Sequence, residues 1–181
     1  MKTTVKICLL ALLALLPLMA VAQTAPLTRD QERERLRGTL ERYGARDDVS
    51  INFRQSDKNP YNFVGVATTG LKNAQSFEVV VGVGESHTIS VRVYPRYNGG
   101  YMNLNKARDQ VGLMRKLLNL SHHNFFYWAA DDDSDIYAIF NFTLESGYPD
   151  ESMGIVLRSV RNNDQFVGEL RQFMDGSAPA P

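Results

Sequence analysis

The strongest constraint on this chain is the period-two alternation of apolar and polar residues through its middle. Phe77, Val79 and Val81 alternate in one stretch, and Ile89, Val91 and Val93 alternate against Thr88, Ser90 and Arg92 in the next. Ile51 with Phe53 reads the same way, as does Phe63 with Val64 and Val66 opposite; later, Ile136, Ala138, Phe140, Phe142 and Leu144 share one face. Successive side chains of a strand point to opposite faces, so these stretches predict a sheet with one buried and one wetter face. The breaks DKNPYN, GLKNAQ and GVGES have turn chemistry and suit antiparallel hairpins. Tyr94 to Tyr101, reading YPRYNGGY, carries proline and paired glycines and is expected to be a loop.

Helices frame these strands. Thr28 followed by Gln31 is a capping-box pattern, and Leu36, Leu40 and Tyr43 make one narrow apolar stripe in a charged segment that Gly44 should end. A second helix is expected over Lys106 to Leu118, with Ala107, Val111, Met114 and Leu118 on its core face. Strands follow at Asn124 to Ala129 and Ile136 to Leu144. Tyr148-Pro149-Asp150-Glu151 then opens a last helix, whose apolar side is Met153, Val156, Val160, Val167, Leu170 and Met174. The expected fold is α+β, an antiparallel sheet packed with helices in the order α-β-β-β(-β)-α-β-β-α, as a single domain over residues 23–175. The remainder, 176–181, reads as a disordered tail.

Residues 1–22 have the three parts of a secretory signal: Lys2 and Lys6, the apolar run Ile7 to Met19, and Ala20-Val21-Ala22 as the cleavage site. Pro17 interrupts the run, which is shorter than a spanning helix needs. The expected location is therefore periplasmic or secreted, with no membrane association after cleavage. Cys8, the one cysteine, would leave with the signal, so the mature chain must be held by an ordinary core. Twenty basic residues balance twenty acidic ones, which argues against a dedicated nucleic-acid binder.

HHNFFYWAADDDSDIYAIFNF, residues 122–142, concentrates the candidate site residues. In its aromatic run, Phe125 and Tyr127 should share one face and Phe126 and Trp128 the other. One pair then belongs to the core and the other is covered by a helix or open to a partner, so Phe126, Tyr127 and Trp128 are candidate partner-binding residues. Asp131, Asp133 and Asp135 have a spacing that can wrap a calcium ion, but an EF-hand loop would need glycine and glutamate where Ile136 and Phe142 stand. Turn formation alone explains the aspartates, and the cation site is kept as an alternative.

His122 and His123 fall at a helix end, where imidazoles cap carbonyls. With His87 they are the only histidines, and none has ligand spacing. Gly82-Val83-Gly84-Glu85-Ser86-His87 lacks the third glycine of a dinucleotide fingerprint and the glycines flanking serine in a nucleophile elbow. No Walker loop or HExxH occurs, so no catalytic motif and no cofactor are indicated. A hydrolase would require a concave pocket lined by His87, His122 or His123 with a carboxylate in hydrogen-bond reach.

The order of elements, and above all residues 113–173 with a helix ending in LLN, an acidic hairpin and a closing NNDQFVGEL segment, resembles the YbjN family. That family is similar in fold to the small dimeric chaperones of type III secretion. The resemblance implies a non-catalytic binding module whose sheet-and-helix surface engages a protein or peptide client, with the second helix or a sheet edge making a homodimer. An exposed strand edge or the aromatic face around Tyr127 or Trp128 is the expected contact.

Overall fold

The computed structural model describes residues 27–144 and 147–180, so the expected signal segment at residues 1–22 lies outside the described residues. The fold is α+β: a seven-stranded antiparallel sheet with helices packed on one face. Helix α1 spans Arg29–Gly44, and the strands are β1 (Arg54–Gln55), β2 (Asn62–Ala67), β3 (Ser76–Val83), β4 (Thr88–Tyr97) and β5 (Gly100–Tyr101). Helix α2 (Gln110–His123), β6 (Tyr127–Ala130), β7 (Ile136–Thr143), α3 (Asp150–Ser159) and α4 (Asn163–Met174) complete the chain. Strand order is β1-β2-β3-β4-β7-β6, with β5 paired to the far end of β4. The chain therefore leaves β4, crosses through α2, makes the edge strand β6 and returns as β7 beside β4.

The alternation settles which face is covered. Phe63, Phe77, Val79, Val81, Ile89, Val91, Val93, Trp128, Ile136 and Ala138 are buried beneath the helices. Val66, Arg92, Tyr94, Tyr127, Tyr137 and Ile139, on the other face, stay half-buried or exposed. Helix α1 packs against α3, and α2 against α4 and β6.

Helix α1 begins as expected: Gln31 N–H donates to Thr28 Oγ1 (3.3 Å) while Thr28 N–H donates to Gln31 Oε1 (2.9 Å). Gly44 is its last residue, for a reason other than a left-handed turn. A Cβ there would lie 2.4 Å from the Ile51 carbonyl oxygen, and the Ile51 N–H donates to the Gly44 carbonyl at 2.9 Å. This close pass carries buried Ile51 under the helix outside any ladder, so the expected strand at Ile51 and Phe53 reduces to Arg54–Gln55.

Four further expectations are corrected. YPRYNGGY is a hairpin: β4 continues to Tyr97, and Asn98 (φ 51°) with Gly99 (φ 81°) makes the two-residue turn into β5. Pro95 is tolerated because its carbonyl accepts from Met102 N–H, so its missing donor faces away from β3. In the second helix the core row is Leu113, Leu117 and Leu120, while Val111, Met114 and Leu118 face solvent. Ala107 precedes the helix, which Asp109 caps through Gly112 N–H (2.8 Å).

The last helix is two, broken by a 3-10 turn at Val160–Asn162. There the buried Asp164 carboxylate accepts the backbone N–H groups of Lys72, Asn73 and Ala74. Residues 176–180, expected as part of a disordered tail, make specific contacts: Ser177 Oγ contacts the Tyr97 hydroxyl (3.0 Å) and Arg171, and Ala180 N–H donates to Asn73 Oδ1 (2.8 Å).

Candidate functional site

The aromatic run divides by strand geometry. Phe126 and Trp128 are buried, Trp128 against the edge of Phe166 and Phe126 against Phe140, so neither is available to a partner in this structure. Tyr127 is 59 % exposed on the uncovered sheet face beside Ile139 of β7. Phe125 is exposed but stacked on Phe140 at 4.4 Å, so the strand that would place it with Tyr127 begins only after it.

The edge of β6 is closed. Trp128 N–H donates to Ser121 Oγ at 2.7 Å, and the same hydroxyl lies 3.2 Å from the Trp128 carbonyl. One helix side chain thereby occupies backbone groups that an incoming strand would use. The opposite edge, β1, is two residues long. Neither edge offers the long open ladder that strand addition requires, which corrects the expectation of an exposed strand edge.

Among the described residues α2 carries three of the seven exposed large hydrophobic side chains in one row: Val111 is 54 %, Met114 44 % and Leu118 71 % exposed. At roughly 100° per residue this row is centred about 130° around the helix from Leu113, Leu117 and Leu120. On the uncovered sheet face, Tyr94, Tyr101 and Tyr137 form a cluster with centroid separations of 5.7 and 5.1 Å, and Arg92 and Arg96 lie over Tyr137 and Tyr101. Burial raises the Tyr94 phenol above its ordinary value. Burial, reinforced by the neighbouring Glu78 carboxylate, pushes the Tyr101 phenol up to about 12.

The acidic hairpin is a built turn. Asp131 Oδ1 accepts from the N–H groups of Asp133 (3.1 Å) and Asp135 (2.9 Å), and Asp135 Oδ1 accepts from Asn103 Nδ2 (2.8 Å). Ser134 takes the left-handed position at φ 67°. Among the described residues no group of three or more His, Cys, Asp or Glu side chains converges as a metal site.

The histidines are scattered. His122 and His123 meet edge to face, exposed at the end of α2. His87 sits in the β3–β4 turn at φ 54°, its Nδ1 2.9 Å from Oε2 of Glu32 on α1. Both line a cavity of about 380 Å³ with Leu27, Ser86, Thr88, Thr143 and Leu144. Glu32 was readable in sequence only as one of a charged helix surface. It is in fact 4 % exposed, because its position on α1 falls four residues before Leu36 on the docked side. The geometric condition for a histidine–carboxylate pair is thus met at His87 alone, while the Ser86 hydroxyl is 3.3 Å from Thr88 Oγ1.

No protein-family model matches the chain, and no curated protein matches it. No helix among the described residues is long and apolar enough to cross a membrane.

Proposed function

We propose that the protein is a non-catalytic polypeptide-binding module of the periplasm or extracellular space, with α2 as its contact element. The observation that carries this reading is the solvent-facing row Val111, Met114 and Leu118. Large apolar side chains at i, i+3 and i+7 are the pattern by which a helix seats in a groove or against another helix. A single exposed leucine needs no explanation, whereas an ordered row on one helix marks an interaction surface. With the edge of β6 plugged by Ser121, side-chain contact rather than strand addition is the mode left to a partner.

The partner is a polypeptide carrying an apolar helix. A second copy of the chain carries one, in keeping with the homodimer that the likeness to the YbjN family implies, and the leader at residues 1–22 supports the location. The test is site-specific photo-crosslinking from position 118 in cells making the full chain, with exposed Glu41 of α1 as the control position. The expected result is one discrete polypeptide adduct from 118 and none from 41. Light scattering of Leu118→Glu then separates a self-partner from a client, since a dimer held by this row would become a monomer. Equal, diffuse labelling from both positions would overturn the reading.

A further inference from the structure

We propose that the cavity between the start of α1 and the β3–β4 turn is a binding site for a small organic primary ammonium bearing an apolar substituent, with Glu32 as the anionic anchor. The argument starts from the cost of the carboxylate. Glu32 is 96 % buried, and among the described residues its Oε2 has no hydrogen-bond donor. His87 Nδ1 is within ion-pair range of that oxygen at 2.9 Å without making a hydrogen bond to it. A buried charge left in this way is expensive unless something pairs with it.

The arginines of the same helix are committed elsewhere. Arg29 donates twice to the Val83 carbonyl (3.1 and 2.8 Å) and lies over the Tyr61 ring. Arg33 pairs with Asp30 and Glu34, Arg35 with Asp150, and Arg37 with Glu34. Among the described residues, the carboxylate therefore faces a space whose other walls are two leucines and three hydroxyls, with His87 as the nearby imidazole.

Each wall selects part of the ligand. The volume of about 380 Å³ lies in the range of small-molecule sites. Leu27 and Leu144 favour a hydrocarbon body. Ser86, Thr88 and Thr143 supply neutral oxygens that accept the remaining N–H bonds of an ammonium, and Glu32 selects positive charge over a neutral or anionic head. One carboxylate and one imidazole are too few for a metal site, which keeps the assignment on an organic cation. The ammonium belongs either to a free amine or to the N-terminus of a peptide, and the chemistry of recognition is the same.

Calorimetric titration of the purified protein with n-hexylamine, 1-hexanol, the tripeptide Leu-Gly-Gly and its N-acetyl form tests this. Saturable binding of hexylamine at least tenfold tighter than hexanol, lost by tenfold or more in Glu32→Gln, is expected. Binding of Leu-Gly-Gly but not of its acetylated form would extend the site to peptide termini, and binding of hexylamine alone would confine it to free amines. Ser86→Trp, a substitution at an exposed turn residue that obstructs the rim while leaving Glu32 in place, should also abolish binding and serves if Glu32→Gln fails to fold. Absence of binding, parity of hexanol with hexylamine, or undiminished binding in the variants would overturn the proposal. The helix row of α2 takes no part in this site, so failure here leaves the crosslinking result untouched.

Discussion

The same substitution at two glycines of α1 should move stability in opposite directions. Gly38 is exposed in mid-helix, and a Cβ built on it meets nothing within 4 Å. Gly38→Ala should therefore raise stability by about 0.5–1 kcal/mol, from better helix propensity and a less flexible unfolded chain. Gly44 would gain no more than that, being the last helical residue. Its Cβ would stand 2.4 Å from the Ile51 carbonyl oxygen and 3.1 Å from Phe53 Cδ2. The first of these is backbone, held by the Ile51 N–H bond back to Gly44, so no rotamer change relieves the overlap.

Overpacking of this kind costs about 1–3 kcal/mol, which outweighs the propensity gain and leaves Gly44→Ala about 1–2 kcal/mol less stable than the parent. For a chain of this size the shift in Tm is roughly 2–4 °C per kcal/mol, downward for Gly44→Ala and upward for Gly38→Ala. Urea unfolding followed by fluorescence of the single tryptophan, buried Trp128, reads both values on one scale. If Gly44→Ala stabilised as Gly38→Ala does, the passage of Ile51 beneath the end of α1 would be refuted, and with it the account of why residues 51–53 leave the sheet.

Two further outcomes follow from other parts of the structure. Tyr101 is protonated in the folded protein up to about pH 12, so its contribution to stability is complete below the unfolded value of about 10 and is lost as pH rises from there toward 12. Ultraviolet titration should show this late phase and Tyr101→Phe should lower its amplitude by one phenol, since burial also raises Tyr94 and Tyr148; ionisation of Tyr101 near pH 10 in the native protein would contradict the burial. Ser121→Ala should cost about 1–2 kcal/mol by leaving the Trp128 N–H without its acceptor, and should promote concentration-dependent association through the uncovered edge of β6. A variant as stable and as soluble as the parent would show that the hydroxyl does not guard the edge.

Period-two patterning made the sheet legible because it reports one dominant effect: Phe77, Val79, Val81, Ile89, Val91 and Val93 must leave water on the same side. The errors fall where a second effect of similar size competed. In YPRYNGGY the proline and glycines obscured an Asn-Gly hairpin, because whether Pro95 breaks a strand depends on which neighbour its missing donor faces. Residues 51–53 alternate like a strand but are placed by a contact with Gly44 that only the tertiary structure supplies. The cavity was hidden for another reason. Glu32 and His87 are separated by the whole of β1 to β3, and only its spacing to Leu36 and Leu40 sets Glu32 apart from the exposed glutamates around it.

The phase of α2 is the most informative of these cases, because it bears on function. Two rows of equal hydrophobic character, Val111-Met114-Leu118 and Leu113-Leu117-Leu120, compete for the core, and apolar burial alone does not choose between them. The polar residues do. Ser121, on the flank between the two rows, bonds the backbone of Trp128, and Lys116, on the other flank of the Leu113-Leu117-Leu120 row, pairs with Glu169 of α4. Asp109 holds the first turn through Gly112 N–H. Turning the helix to bury Val111, Met114 and Leu118 would carry Ser121 and Lys116 away from these partners and uncover the edge of β6. The exposed row is thus held outward by specific polar contacts, so the apolar surface proposed as the contact site is a consequence of how the edge strand is protected.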